Sequence, residues 1–150
     1  MSRPVERNID FDLVLTDSPP ASMRDELGRG IHAVNVALLG PADMRPLAII
    51  IRSQDDQTPI GGLYGRTSFR RLFVELLFVP ESLRGQGVGQ ELLRKAEAEA
   101  KIRGCLGAWL ETFSADAHHF YERSGYRTFG QIEDYPPGNT RYFLSKAWSE

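Results

Sequence analysis

The N-terminal part of the chain carries two apolar patterns of different period. Residues 9–16 alternate well enough to predict a first strand, which the two prolines within residues 17–20 end. Beyond them, apolar side chains recur at the spacing of one helix face as far as Gly40, namely Met23, Leu27, Ile31, Val34 and Leu38. This second segment is predicted to form one amphipathic helix.

Extended segments follow the predicted helix. Residues 47–51 and a stretch that begins at Ile60 flank a polar turn, a pattern typical of a hairpin. Residues 72–79 are almost continuously apolar, as expected of a central strand that is buried on both faces. Pro80 ends this strand, because proline cannot donate a hydrogen bond to a sheet.

A strand, helix, strand unit occupies the middle of the chain. After a glycine-rich loop, apolar residues four apart predict a helix that Gly104 closes: Val88, Leu92, Ala96 and Ala100. Residues 106–112 predict the next strand. Residues 72–112 therefore predict a parallel strand pair with a right-handed crossover.

The last third of the chain predicts a short helix and two closing strands, over residues 117–123, 126–132 and 141–146. No repeat, low-complexity tract or long linker divides the sequence, so we expect a single domain over residues 1–150. A composition that is 41% hydrophobic and 25% charged is typical of a globular domain with a substantial core.

Charge and cysteine content exclude several functions. The chain has 18 Lys and Arg against 20 Asp and Glu, so it offers no basic field for a nucleic acid or an anionic membrane. No run of about 18 apolar residues predicts a membrane span, and the N-terminus does not resemble a signal peptide. The single cysteine, Cys105, excludes an internal disulfide and favours a cytoplasmic setting.

The glycine-rich loop is the main candidate for a binding site. Gly85, Gly87 and Gly89 lie between a predicted buried strand and a helix, where glycine allows a close approach of the backbone to a ligand. The first turn of a helix has unpaired N–H groups and a partial positive charge, and Arg84 adds a full one. The alternative is that these glycines only form a tight turn. The succession of strand, arginine, glycines and helix favours a diphosphate site.

Two other phosphate sites fit the loop poorly. A P-loop would end in Gly-Lys-Ser/Thr, which is missing here. A dinucleotide site would use a carboxylate about twenty residues beyond the loop, where Glu111 stands. The glycine spacing is not that of a dinucleotide fold, however, and the chain is too short for the second half of such a fold.

Residues 84–89, Arg-Gly-Gln-Gly-Val-Gly, resemble the acetyl-coenzyme A loop of the GCN5-related N-acetyltransferase (GNAT) family, whose pattern is Arg/Gln-x-x-Gly-x-Gly/Ala. The resemblance extends from about residue 60 to residue 148 and includes residues 79–81, Val-Pro-Glu, and residues 120–126. It implies an α/β fold, with a central mixed, mostly antiparallel sheet, a splayed parallel strand pair and flanking helices. It also implies acetyl-coenzyme A as cosubstrate and an amine as acceptor.

The resemblance predicts the cofactor contacts. The backbone of the first parallel strand should pair with the pantetheine arm, while the second parallel strand splays away. The predicted contacts are Leu77, Phe78, Val79, Arg84, Gly85, Gln86, Gly87, Val88, Gly89, Thr112 and Ser114. The N-terminal third departs from the family, which usually has two helices where the pattern here predicts one. Because that region shapes the acceptor pocket, the acceptor is left open.

Transfer of an acyl group to an amine needs a proton acceptor, a site for the oxyanion and a donor for the departing thiolate. Glu75, in the apolar strand, resembles a carboxylate that some family members place near the acceptor amine, and its burial would raise its pKa. The alternative for Glu75 is a solvated carboxylate or a partner of Arg71. By resemblance, Tyr121 is the general acid; the alternative is a core aromatic. The backbone N–H of Val79 is the candidate oxyanion contact.

Other polar residues are weaker candidates. His118 and His119 are adjacent, so they point to different faces of a helix, and no residue spacing predicts a metal site. Glu133, Asp134 and Tyr135 lie in the last loop, where they would attract a cationic acceptor. We expect a small-molecule amine as acceptor, with a protein amine or a non-catalytic acetyl-coenzyme A module as alternatives. No nucleic-acid or membrane partner is expected, and a homodimer is left open.

Overall fold

The computed structural model describes residues 9–148, which fall into two compact units, one ending at Gly40 and the other beginning at Pro41. In the first unit, helix α1 spans Met23–Leu39, and none of its residues is buried. The predicted helix is thus confirmed. Gly40 follows it with a positive φ of 84°, which glycine adopts without strain.

The predicted strand over residues 9–16 is wrong. These residues form no strand or helix, and Ile9 and Leu13 are 81% and 91% exposed. A strand is stable only when a neighbouring strand satisfies its backbone groups, and the alternation of residue types does not supply that neighbour.

The second unit is a six-stranded sheet with helices, in the order β1 (Arg45–Arg52), β2 (Pro59–Ser68), β3 (Arg71–Phe78), a short 3₁₀ helix (Glu81–Leu83), α2 (Val88–Ile102), β4 (Gly107–Thr112), α3 (Ala115–Arg123), β5 (Arg127–Ile132) and β6 (Arg141–Ala147). The strand order across the sheet is β1-β2-β3-β4-β6-β5. The mixed α/β architecture is as predicted, whereas the single domain over residues 1–150 stays a prediction.

All neighbouring strands are antiparallel except β3 and β4. The hairpin and the parallel pair are therefore confirmed. The parallel pairing covers only three positions, and its last pair is Phe73 with Trp109. Beyond that pair β3 and β4 have no further register with each other, so the sheet opens in a splay.

The core lies on one face of the sheet, against α2. Four large side chains are almost completely buried there: Leu72, Leu93, Leu110 and Leu144. The expectation that β3 is buried on both faces is wrong, because Leu76 and Phe78 are 63% and 57% exposed. The opposite face of β3 has little cover.

A β-bulge in β3 shifts which residues face the core. Tyr64 of β2 pairs with Leu76 and Gly65 pairs with Val74, so Glu75 has no counterpart on β2. The extra residue reverses the alternation. Even-numbered Val74 is buried before the bulge, whereas odd-numbered Leu77 packs against the core after it. Sequence alternation alone gives no sign of this shift.

Candidate active site

A cleft of about 820 Å³ lies where the end of β3, the glycine-rich loop and α3 come together. It contains most of the residues predicted to touch a cofactor or to act in catalysis: Leu77, Phe78, Val79, Arg84, Gly85, Gly87, Val88, Gly89, Ser114 and Tyr121. Two predicted contacts are not part of its lining. The side chain of Gln86 donates to the Ser82 carbonyl at 3.3 Å, and Thr112 Oγ1 accepts from the Ser114 N–H at 3.3 Å.

The glycine-rich loop forms an open cradle at the start of α2. Gly85 and Gly87 have φ of 76° and 78°, a region that favours glycine, and a Cβ at either position would meet no atom within 4 Å. Gly87 is the N-cap of α2 and carries no side chain to satisfy the first-turn N–H groups. The backbone N–H groups and the positive end of the helix are therefore free to receive a diphosphate.

Arg84 is fixed beside this cradle. Its Nε donates to the carbonyl oxygen of Val79 at 3.0 Å, across the turn that joins β3 to α2. This bond orients the guanidinium, whose terminal N–H groups remain for a ligand in the cleft. The positive charge of Arg84 thus lies beside the cradle, and its contact with a cofactor stays a prediction.

The edge of β3 that faces the splay is open along the cleft. Leu77, Phe78 and Val79 line the cleft, and β4 pairs with β3 only as far as Phe73. An extended ligand can add to such an edge with main-chain hydrogen bonds. The shape of the cleft therefore suits the pantetheine arm and diphosphate of coenzyme A.

Tyr121 projects from α3 into the same cleft and is 8% exposed. Its ring packs edge-on against Phe120 and Tyr126, with centroids 5.1 and 5.9 Å away. The Tyr121 hydroxyl has no hydrogen-bond partner within residues 9–148. It is not one of the completely buried side-chain polar atoms that lack a partner in this part of the chain. Burial raises the pKa of Tyr121 to about 12, so the hydroxyl keeps its proton at neutral pH.

Helix α3 is held in place at both ends. Ser114 caps its first turn by accepting from the Ala117 N–H at 3.2 Å. At the other end, Lys146 Nζ donates to the Ser124 carbonyl at 3.0 Å and lies 2.6 Å from Glu97 Oε1 of α2. These contacts tie the tyrosine-bearing helix to both α2 and β6.

Seven further residues line the cleft without having been predicted: Leu83, Gln90, Asp116, Ala117, Phe120, Arg123 and Ser124. Most of them lie on α3 at the spacing of one helix face. Extending that spacing from Tyr121 by three and four residues would have found Ala117 and Ser124. Phe120 also lies close to the loop, since a Cβ added to Gly89 would be 3.5 Å from its ring.

Glu75 lies outside the lining of the cleft. Its side chain is 44% exposed, as the solvated alternative expects, and it pairs with Arg66 at 3.7 Å between Oε2 and Nη1 and not with Arg71. The expected burial is wrong because Glu75 follows the buried Val74 and lies on the opposite, exposed face of β3. Its role as a base stays a prediction.

The two adjacent histidines, His118 and His119, differ in their surroundings. His118 stacks on Tyr142 with centroids 3.8 Å apart, and its Nε2 lies 2.8 Å from Thr128 Oγ1. His119 is largely exposed, its side chain at 67%. No group of three or more His, Cys, Asp or Glu within residues 9–148 is arranged to hold a metal ion.

Comparison with known proteins settles the family. The model of the acetyltransferase (GNAT) family matches residues 23–126. The chain belongs to the GNAT family of acetyltransferases. It is therefore an acyl-CoA-dependent N-acetyltransferase, as the loop predicted, and its family uses acetyl-coenzyme A.

Individual relatives agree with this assignment. An acetyltransferase of Agrobacterium fabrum is 41% identical over 136 residues, which are 91% of this chain and 98% of that protein. A crystal structure from Agrobacterium tumefaciens, described as an acetyltransferase, superposes with a TM-score of 0.88 at 39% identity and covers 92% of this chain and 100% of its own. The blasticidin-S acetyltransferase of Streptomyces morookaense is 45% identical over 87 residues, 57% of this chain and 64% of that protein.

No helix within residues 9–148 is long and apolar enough to cross a membrane.

Proposed function

We propose that this acetyltransferase moves the acetyl group of acetyl-coenzyme A to a primary amine of a small molecule, by direct attack in a ternary complex. The observation that carries the proposal is that the glycine-rich cradle and Tyr121, whose hydroxyl has no hydrogen-bond partner within residues 9–148, line one cleft. A purely cofactor-binding module would have no use for an unpaired, protonated hydroxyl beside the cradle.

The residues of the cleft fit acetyl-coenzyme A, which supplies an acyl group activated as a thioester when it is bound. Gly85 and Gly87 leave space where a Cβ would stand, and the first turn of α2 offers N–H groups for the diphosphate. The open edge of β3 orients the extended part of the ligand. The Val79 N–H, on this edge, is the proposed donor to the oxyanion.

Tyr121 is the proposed general acid. A hydroxyl whose pKa lies at about 12 stays protonated at pH 7 and is able to donate to a departing thiolate. Its ring is held by Phe120 and Tyr126, so the hydroxyl loses little freedom when the reaction begins.

Glu75 is the proposed base. It lies two residues beyond Phe73, the last residue of β3 that pairs with β4, and its side chain is 44% exposed. In this proposal the acceptor amine approaches the splayed strands from the exposed face of β3, where it meets the carboxylate. Its proton then passes to the carboxylate directly or through water.

A small-molecule acceptor is favoured by the match to the blasticidin-S acetyltransferase, which its name assigns to an antibiotic. A protein amine remains the alternative acceptor. The cytoplasmic setting and a homodimer stay predictions.

The test is a panel of amines in which release of free thiol from acetyl-coenzyme A is followed and products are identified by mass. The panel contains blasticidin S, streptothricins, aminoglycosides, polyamines, amino acids and peptides. Turnover of a small amine is expected. Turnover of peptides alone would favour the protein acceptor, and cofactor binding without any turnover would contradict the proposed activity.

A further inference from the structure

A second carboxylate stands at the mouth of the splay. Phe73 and Trp109 form the last pair between β3 and β4, and a glutamate follows each of them by two residues, Glu75 on β3 and Glu111 on β4. Because alternate residues of a strand point to the same face, both glutamates belong to the face that carries Phe73 and Trp109. The proposed function uses only Glu75.

Contacts confirm this placement for Glu75 despite the bulge. The Arg66 guanidinium lies 4.8 Å from the centroid of the Phe73 ring and also pairs with Glu75. One arginine can reach both side chains only when they are on the same face. Phe73 in turn stacks on Trp109, with centroids 4.1 Å apart.

Glu111 has a similar environment on β4. It pairs with Arg141 at 3.4 Å between Oε1 and Nη1, and the Arg141 guanidinium lies over the rings of Phe113 and Tyr135 at 5.1 and 4.4 Å. Phe113 follows the end of β4, and its ring contacts the same arginine that pairs with Glu111. The mouth of the splay thus has a carboxylate on each side and a stacked aromatic pair at its base.

Both carboxylates are open to a further partner. Their side chains are 44% and 36% exposed, and their contacts with arginine, at 3.7 and 3.4 Å, exceed the roughly 2.8 Å of a direct charge-assisted hydrogen bond. Exposed pairs of this kind contribute little to stability, so a ligand cation can compete for the oxygens. The aromatic pair adds a surface on which a cation is favourable.

We propose that Glu111 is an acceptor-binding, specificity-determining residue that holds a second cationic group of the amine substrate, while Glu75 faces the amine that reacts. The inference rests on the proposed function. It names the substrate class as small molecules with two basic nitrogens, since two carboxylates on opposite sides of one gap select for two separated positive charges. The Arg141 contact holds Glu111 in place when no substrate is bound.

The test pairs each diamine in a series with the monoamine of equal chain length, for example 1,4-diaminobutane with 1-aminobutane, and adds amine antibiotics with and without a second basic group. The wild type is expected to prefer the dication by about tenfold or more in kcat/KM, the usual weight of one charge-assisted contact. Glu111→Gln should remove that preference by raising the KM of the diamines. Glu111→Asp, which keeps the charge, should retain much of it.

Glu99→Gln is the matched control, because Glu99 is also paired with an arginine, at 3.0 Å, and is 41% exposed. It should keep the dication preference. Turnover without such a preference, or a preference that survives Glu111→Gln, would overturn this inference and leave the acetyltransferase proposal intact. If acetyl-coenzyme A raises the melting temperature but no amine is acetylated, both proposals fail.

Discussion

The ion pair between Lys146 and Glu97 offers a quantitative test of how α3 is held. Glu97 is 6% exposed, and Lys146 Nζ lies 2.6 Å from its Oε1 and 3.4 Å from its Oε2. Lys146→Met leaves this carboxylate buried without its cation and also leaves the Ser124 carbonyl without its donor. Loss of one partner of a buried pair costs about 3–5 kcal/mol. Since the Lys146 side chain is 29% exposed and admits water, we expect about 3 kcal/mol.

The assay is chemical and thermal unfolding of Lys146→Met, Glu97→Met and the double variant, with Lys95→Met as an exposed control. The single Lys146 variant should melt on the order of 10 °C below wild type. The double variant should recover much of that loss, because two apolar side chains of similar volume need no charge partner. A Lys146→Met melting temperature equal to that of Lys95→Met would refute the assignment of the pair to the support of α3.

Two further predictions concern the cleft. Gly87→Asp should weaken acetyl-coenzyme A binding by at least tenfold in calorimetric titration, because it places a carboxylate where the diphosphate contacts the backbone. The control is Gly104→Asp, at an equally open glycine with φ of 82°. This variant should lose stability but keep its affinity for acetyl-coenzyme A. Burial raises the pKa of Tyr121 from about 10, its ordinary value, to about 12 in the folded protein. The protonated Tyr121 therefore contributes fully to the free energy of unfolding below pH 10, and this contribution is lost as the pH rises from about 10 to about 12. Between pH 8 and pH 11 the wild type should lose about 1 kcal/mol more than Tyr121→Phe in urea unfolding, and equal losses would contradict the buried hydroxyl.

The middle of the chain could be predicted from sequence because its signals are local. A continuous apolar run predicts β3, glycines at alternate positions predict the loop, and apolar residues four apart predict α2. Each of these patterns depends only on residues that are near one another in the sequence. The parallel pairing of β3 and β4 then follows from the connection between them. The glycine-rich loop and the end of β3 that line the cleft were predictable for the same reason, whereas their contacts with a cofactor stay predictions.

Features that depend on partners distant in sequence were not predictable. The bulge at Glu75 arises from the register of β3 with β2, and after it Leu77 instead of Leu76 packs against the core. The role of Glu111 depends on where the parallel pair ends, and the support of α3 joins Lys146 to Glu97, which are 49 positions apart. For residues 9–16 the local pattern predicts a strand, but the structure provides no neighbouring strand for it to pair with.

The most direct test of the account is the turnover of Tyr121→Phe with the best acceptor of the amine panel. The substitution keeps the ring packed against Phe120 and Tyr126 and removes only a hydroxyl that has no partner within residues 9–148. We predict an unchanged affinity for acetyl-coenzyme A, a melting temperature at neutral pH close to that of the wild type, and a kcat about 100-fold lower. A variant with full turnover would contradict the central claim that this hydroxyl, in the same cleft as the glycine-rich cradle, protonates the leaving thiolate.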